Sequence, residues 1–165
     1  MSDSSRVVFL KLNSWWLAVK PESLPKVLVP TTVGCSLGFS VAPAFDPLLA
    51  AMALGLALCA QWAIVLLNDY ADREADAAHQ ARFPEHIDPR VLVAGLLRPG
   101  QVLGVGLLAA LGVLVLSALM ASYQRPFVPY LGLAGLVVFA AYSFAPLRLN
   151  YRGGGEILEV IGVGI

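Results

Sequence analysis

Charged residues are scarce in this 165-residue chain, and the few that occur cancel. Only 13% of the residues are Asp, Glu, Lys or Arg, and eleven acids and eleven bases give a formal net charge of zero at pH 7. Soluble domains carry about 25% charged residues, so an ordinary soluble protein is excluded. Without a basic field the chain also lacks the electrostatic footprint of nucleic-acid binding, and we expect no nucleic-acid partner.

Cysteine and histidine are equally rare, with two of each. Cys35 and Cys59 both lie in apolar stretches, which predicts small buried side chains and does not indicate a disulfide or metal framework. The histidines lie in a polar connection and lack metal-ligand spacing. The N-terminus has no compact apolar region with a cleavage site, so we expect no cleavable signal peptide.

Long apolar runs occupy most of the chain, with 58% hydrophobic residues and a mean hydropathy of +0.76. A helix that crosses a bilayer needs about 20 such residues. Four runs are long enough to cross: Val27–Ala44, Leu48–Leu67, Val102–Ser122 and Phe127–Ala145. A fifth run begins at Ile157 and is cut off by the terminus. The sequence therefore predicts an integral, multi-pass membrane protein, an all-α transmembrane helical bundle of about four full spans plus an incomplete fifth.

The basic residues fall almost entirely on one side of such a bundle if the spans alternate. Arg125 alone falls on the opposite side. The others are Arg6, Lys11, Lys20, Lys26, Arg73, Arg82, Arg90, Arg98, Arg148 and Arg152. Because positive charge is retained on the cytoplasmic side of membrane proteins, this pattern predicts that their side is cytoplasmic.

Acidic residues are concentrated where the second apolar run ends. Residues 48–67 contain no charge, and three Asp and one Glu then occur within eight positions. If the helix continues, Asp69, Asp72 and Asp76 lie at i, i+3 and i+7 on one face, which we call the acidic face. Asn68 lies on nearly the same stripe.

Such stacked carboxylates repel one another unless a cation lies between them. Mg²⁺ is usually held by one or two carboxylates together with substrate phosphates, so the spacing favours a metal-bridged phosphate site at the mouth of a membrane helix. The alternative is a solvated helix end at which the acids mark the water boundary. Glu74 points away from the acidic face and is free to meet solvent or Arg73.

Further polar residues are predicted on the same side. Lys20 can extend to lipid phosphate or contribute to an anionic site. Tyr142, Arg148 and Arg152 are candidate substrate contacts, although an ordinary positively charged loop explains the arginines as well. Within the second run, Gln61 is expected to face the bundle interior.

The chain also contains a short apolar stretch and several glycines outside these motifs. The stretch Val91–Leu97 is too short for a span, and we expect it to lie on the surface. The glycines of the third and fourth runs are packing signals that let helices approach closely.

Four segments together resemble a known family. Asn68–Asp76 resembles the first aspartate-rich motif of the UbiA superfamily of intramembrane prenyltransferases. Trp16–Pro25 resembles the W-x-x-A-x-R-P-x-T-L opening of the dihydroxynaphthoate prenyltransferases of menaquinone synthesis. Arg90–Leu97 and Tyr151–Glu156 resemble that group's R-x-L-x-x-G-x-[IL] and Y-R-G-x-G-E segments.

The resemblance implies a bilayer-embedded enzyme, in a bacterial inner or plasma membrane, that transfers a polyprenyl group from an allylic diphosphate to an aromatic acceptor. It implies that Mg²⁺ is the cofactor and that Asp69, Asp72 and Asp76 are its catalytic carboxylate ligands. Asn68 is then a polar neighbour. The implied substrate contacts are Asn68, Lys20, Tyr142, Arg148 and Arg152.

The chain departs from the family pattern in two respects. Members that it resembles are nearly twice as long, with nine transmembrane helices and a second aspartate-rich motif that nothing here matches. We therefore expect residues 1–165 to be the N-terminal part of a single transmembrane prenyltransferase domain, completed by a C-terminal half or a second polypeptide. Alone, they are expected to show no prenyl transfer. Lys20 replaces the commoner Arg, which keeps the charge and loses a bidentate guanidinium contact.

Other functions fit parts of the pattern. A superfamily member with a chlorophyll-, haem- or lipid-type acceptor would share the same acidic face. A non-catalytic membrane scaffold, or a piece of a transporter in which the acids coordinate a transported cation, is the alternative outside enzymes. A prenyl diphosphate synthase fits less well, because its aspartate-rich motifs lie on soluble helices.

Overall fold

The computed structural model describes residues 13–42, 44–84 and 91–153, and this part of the chain is helical without any strand. The helices are α1, residues 13–18; α2, Pro25–Ser40; α3, Pro47–Arg82; α4, Pro99–Ser122; and α5, Val128–Ser143. Short 3₁₀ turns at Pro21–Ser23 and Leu149–Tyr151 follow α1 and α5. The prediction of an all-α fold is confirmed.

Proline and side-chain caps explain where the longer helices begin. Proline stands in the first turn of α2, α3, α4 and α5, where its missing N–H costs no helical hydrogen bond. Asp46 caps α3 by accepting hydrogen bonds from the backbone N–H groups of Leu48 and Leu49, at 2.9 and 3.1 Å.

The helices α3 and α4 pack side by side in antiparallel directions. Their close approaches pair Gly55 with Leu116, Cys59 with Gly112, and Leu67 with Gly106, so numbers rise on one helix as they fall on the other. The start of α4 therefore lies beside the acidic part of α3.

Among the described residues, the basic side chains separate between the two ends of the bundle as the sequence predicted; Arg6, Lys11 and Arg90 lie outside these residues. Lys20 reaches Asp69 at one end, where the beginning of α2 meets the later part of α3. Arg125 lies at the other end, where it lines a cavity of about 200 Å³ with residues from the end of α2 and the beginning of α3. The predicted placement of Arg125 at the end of the bundle opposite to Lys20 is confirmed, while the orientation of the two ends in the membrane stays a prediction.

The spans differ from the prediction in number and length. Only α3 and α4 are long and apolar enough to cross a membrane, among the residues described. The predicted spans Val27–Ala44 and Phe127–Ala145 correspond to helices of 16 residues, each about 24 Å long against a hydrocarbon core of about 30 Å. Both helices end shortly before an X-Pro sequence, which disfavours the helical conformation at the residue before proline. The predicted fifth span lies outside the described residues.

The segment 91–97 forms turns and no span, as predicted, and residues 94–96 are exposed, but both of its ends are buried. Val91 and Leu97 are only 1% and 6% exposed, and they pack with Ala18, Leu66 and Val102 in one buried cluster. Burial at both ends of the segment fixes it against α1, α3 and α4. Val91 and Leu97 therefore belong to the core at the same end of the bundle as the acidic face.

Substituting Gly106 with Ala should destabilise the contact between α3 and α4. A Cβ atom at this position would lie 2.8 Å from Cγ and Cδ2 of Leu67 and 3.3 Å from Cβ of Leu66. Overpacking of this kind costs about 1–3 kcal/mol. We expect a lower midpoint of thermal unfolding, followed by circular dichroism in detergent micelles.

Gly104 provides the matched control on the same helix. A Cβ there would meet no atom within 4 Å. Gly104→Ala should leave the midpoint unchanged or raise it, because Ala is favoured over Gly within a helix by about 1 kcal/mol. Equal midpoints for the two variants would contradict close packing at Gly106.

Candidate functional site

The acidic face is built by the unbroken continuation of α3 beyond its apolar part. The helix runs through Asp69, Asp72 and Asp76 without interruption, as the spacing predicted. With a rise of about 1.5 Å per residue, the first two are separated by about 4.5 Å along the axis and the outer two by about 10.5 Å. Asp69 and Asp72 can therefore share one ligand, whereas a single small ion cannot span all three positions.

Asp72 is held from two sides by hydrogen bonds. The side-chain amide of Asn68 donates to Oδ2 at 2.9 Å, and the hydroxyl of Tyr151 donates to Oδ1 at 2.8 Å. Asn68 is oriented in turn by the fully buried Ser143, whose hydroxyl donates to the amide oxygen at 2.8 Å. This chain of hydrogen bonds joins α3, the end of α5 and the following 3₁₀ turn, and it fixes the direction of the carboxylate.

Asp69 forms an ion pair with Lys20 from the other side of the site. The distance from the ammonium nitrogen to Oδ1 is 2.8 Å, and the side chains are 41% and 13% exposed for Lys20 and Asp69. Because the lysine is this exposed, the pair itself contributes at most about 1 kcal/mol to stability. Its importance is that a positive charge lies against the acidic face.

The backbone of Lys20 has an unusual conformation. Its φ and ψ angles are 47° and 65°, in the left-handed region, between the end of α1 and the 3₁₀ turn. This conformation costs an ordinary residue about 1–2 kcal/mol. The carbonyl of Lys20 accepts hydrogen bonds from the N–H and the hydroxyl of Ser23, at 2.9 and 2.7 Å. Gln61 of α3, which is 7% exposed, donates to that same hydroxyl, so the prediction that it faces the interior is confirmed.

The segment after α5 is attached to the same region of α3. Arg148 donates from its guanidinium to the carbonyl oxygen of Ala71 at 2.9 Å, and its guanidinium carbon lies 5.2 Å from the centre of the Tyr151 ring. Arg148 also has a positive φ of 42°. Positive charge from Lys20 and Arg148 thus lies on both sides of Asp69 and Asp72.

Residues 27–165, which include this whole cluster except Lys20 and Ser23, match the UbiA prenyltransferase family. The chain belongs to that family. No curated protein and no solved structure gives a significant match. Members of the UbiA prenyltransferase family are prenyltransferases of the membrane, which act on prenyl diphosphates and aromatic substrates. The membership, together with the apolar helices, makes this an integral membrane protein and favours an enzyme over a transporter.

Within this UbiA family member, not every predicted site residue joins the cluster. Tyr142 and Arg152 are the sequence neighbours of Ser143 and Tyr151. In the described part of the chain, neither of them hydrogen-bonds to Asp69 or Asp72. Asp76 is partly buried on the next turn of α3. Glu74 points away, its side chain 83% exposed and paired with Arg73 at 2.9 Å, as expected.

Two side chains of the site are not among the predicted site residues. Tyr151 lies in the positively charged loop that the sequence offers as a diphosphate site and in the Y-R-G-x-G-E segment, but neither pattern predicts its hydrogen bond to Asp72. Ser143 lacked such a signal, because a lone Ser at the end of an apolar run most often packs against a neighbouring helix. Both contacts cross more than 70 positions in sequence, 75 for Ser143 to Asn68 and 79 for Tyr151 to Asp72.

The UbiA family is generally Mg²⁺-dependent, and the donor set of Asp69 and Asp72 fits this ion. Two carboxylates one helical turn apart supply hard oxygen ligands, and each carboxylate has lone pairs beyond those used by its present partners. Among the described residues, no three acidic, His or Cys side chains are grouped to hold a metal. A two-carboxylate site of this kind matches the preference of Mg²⁺ for few protein ligands plus substrate phosphate.

Proposed function

We propose that this protein transfers a polyprenyl group from an allylic diphosphate to an aromatic acceptor in menaquinone-type quinone biosynthesis, with Mg²⁺ as cofactor. The observation that carries the proposal is the pair Asp69 and Asp72, one turn apart on α3 and flanked by Lys20 and Arg148. A diphosphate needs both elements, since carboxylates bind it only through metal and basic side chains bind it directly.

The arrangement suits departure of the diphosphate. Mg²⁺ held by Asp69 and Asp72 would supply positive charge to the leaving group and so lower the barrier to its departure. The allylic C–O bond breaks with both electrons passing to the diphosphate, and the ammonium of Lys20 and the guanidinium of Arg148 stabilise the charge that develops there. Asn68 and Tyr151 keep the Asp72 carboxylate in a fixed orientation while this happens.

The new carbon–carbon bond forms when a ring carbon of the acceptor attacks the allylic cation, after which the ring carbon loses its proton to solvent. The cation must be kept from water in the meantime. Apolar side chains beside the acidic part of α3, including the buried Leu66, Leu67 and Val102, provide a dry boundary on the membrane side.

The choice of acceptor rests on the resemblance of three segments to dihydroxynaphthoate prenyltransferases. Two of these segments contribute to the cluster, because the first contains Lys20 and the third contains Tyr151. The second, which includes Val91 and Leu97, packs against Ala18 of the first segment and Leu66 of α3. The alternative is a family member with a chlorophyll-, haem- or lipid-type acceptor.

The test measures transfer in membranes from a host that lacks its own corresponding enzyme and makes these residues together with the C-terminal half or second polypeptide that we propose completes the domain. Membranes are incubated with labelled polyprenyl diphosphate, Mg²⁺ and one acceptor at a time. We expect a prenylated product with dihydroxynaphthoate and none after chelation of Mg²⁺. Product with a different acceptor alone would reassign the substrate, and the absence of product with every acceptor would overturn the proposal.

We also propose that the end of the bundle with the acidic face is cytoplasmic, in a bacterial inner or plasma membrane. The basis is the one-sided distribution of basic residues. In a variant without Cys35 and Cys59, single cysteines at the exposed positions Ala44 and Ala77 mark the two ends of α3. A membrane-impermeant thiol reagent applied to intact cells should label only Ala44→Cys, and both should react after solubilisation. Labelling of Ala77→Cys from outside would reverse the orientation.

A further inference from the structure

Lys20 is attached to α3 at two separate points. Its ammonium group meets Asp69, and its carbonyl oxygen is joined through Ser23 to Gln61. Asp69 and Gln61 are eight residues apart on α3, which is about 12 Å along the helix axis. The lysine therefore bridges two levels of one helix, with its charged end at the acidic face and its backbone fixed nearer the membrane interior.

The second attachment determines where the charged end lies. A lysine side chain has four rotatable bonds, and an exposed ammonium ordinarily samples many positions. The left-handed backbone of Lys20 points the side chain toward α3, and that conformation requires support because ordinary residues seldom adopt it. Ser23 supplies the support with two hydrogen bonds to the Lys20 carbonyl, one from its N–H and one from its hydroxyl.

Gln61 completes the arrangement by holding the serine. The Ser23 hydroxyl has a single proton, which it donates to Lys20, so its free lone pairs accept the hydrogen bond from the Gln61 amide. Gln61 is buried within an apolar helix, where an amide without a partner would be costly. The partner that satisfies it is the residue that fixes the Lys20 backbone.

We propose that Gln61 and Ser23 are positioning residues that hold the Lys20 ammonium in place for the diphosphate. This inference rests on the proposed function for the identity of the ligand. Neither residue touches the substrate in this role; both act through the backbone of Lys20. Loss of either should release the ammonium from the acidic face and weaken diphosphate binding, while the fold stays intact.

The experiment compares Ser23→Ala and Gln61→Leu with Ser23→Thr, which keeps the hydroxyl. The readout that needs no substrate is the rate at which an amine-reactive reagent modifies Lys20 in the full chain in lipid vesicles, with the exposed Lys26 as internal reference. Ion pairing protects Lys20, so we expect its rate relative to Lys26 to rise several-fold in Ser23→Ala and Gln61→Leu. Ser23→Thr should behave as the unaltered protein. An unchanged ratio in both disruptive variants would overturn the proposal.

The second readout is binding of a labelled polyprenyl diphosphate in the presence of Mg²⁺. Loss of one supporting hydrogen bond should weaken binding about tenfold. In a Lys20→Met background, Ser23→Ala should have no further effect, because the group that it positions is gone. A merely structural role predicts additive losses instead, and that result would also overturn the proposal. If Lys20 loses its protection in Ser23→Ala and Gln61→Leu while the completed, unaltered domain shows no prenyl transfer, the positioning role is supported and the proposed reaction is overturned.

Discussion

Replacing Asp72 with Asn should reduce Mg²⁺-dependent prenyl transfer by about a thousandfold. The substitution keeps the shape of the side chain and an oxygen that can accept the hydrogen bond from Tyr151, but it removes the negative charge that a hard cation requires. Metal coordination contributes several kcal/mol to stabilisation of the leaving group, and each 1.36 kcal/mol changes the rate tenfold. Initial rates at saturating Mg²⁺, in membranes that hold the completed domain, would measure the loss.

Glu74→Gln is the matched control for Asp72→Asn. Glu74 lies two residues away on the same helix, and its side chain is 83% exposed and paired with Arg73. An exposed ion pair of this kind contributes little, so transfer should stay within about twofold of the unaltered rate. Similar losses in the two variants would show that total acidity of the helix end matters, and would contradict a specific role for the acidic face.

Replacing Lys20 with Met should weaken binding of the polyprenyl diphosphate by about 10- to 100-fold. The ammonium lies 2.8 Å from Asp69, beside the position that the diphosphate must occupy to reach metal held by that carboxylate. A hydrogen bond to a charged group contributes about 1.5–3 kcal/mol, which corresponds to this range of affinity. Titration of the chain in lipid vesicles with a fluorescent prenyl diphosphate would measure the change.

Two further lysine variants separate this effect from a general loss of positive charge. Lys26→Met removes an exposed charge six residues away, at the beginning of α2, and should change affinity by less than about twofold. Lys20→Arg retains the charge and should bind within a few-fold of the unaltered chain. A large loss in Lys26→Met would indicate that the whole basic surface attracts the substrate, and that Lys20 has no special position.

Most of the local structure could be predicted from the sequence, because it depends on short-range patterns. The apolar run before Asn68 and the i, i+3, i+7 spacing after it are sufficient to predict a helix with carboxylates on one face. Proline positions mark the helix starts for the same reason. The ends of α2 and α5 were harder to predict, because each apolar run continues to Ala42 or Ala145 whereas the helix ends before the following proline.

The contacts that make a site from this helix could not be read in the same way. Lys20 is 49 positions from Asp69, and the pairing depends on a left-handed residue and on a contact between Gln61 and Ser23 that no local pattern specifies. The burial of Val91 and Leu97 depends likewise on α1 and α4 meeting at one level of α3. Such contacts follow from tertiary packing, and only the resemblance to a family indicated that these segments belong together.

The length of α3 has a consequence for how a substrate arrives. Its 36 residues span about 54 Å, well beyond the hydrocarbon thickness of about 30 Å, and Asp69 lies about 33 Å from the Pro47 end. When Pro47 lies at one boundary of the hydrocarbon, Asp69 is level with the phosphates of the lipids at the other. An amphiphile with an isoprenoid tail already carries its polar group at that depth. It can therefore reach the carboxylates by lateral diffusion within a single leaflet, without leaving the bilayer and without moving its charge through the hydrocarbon.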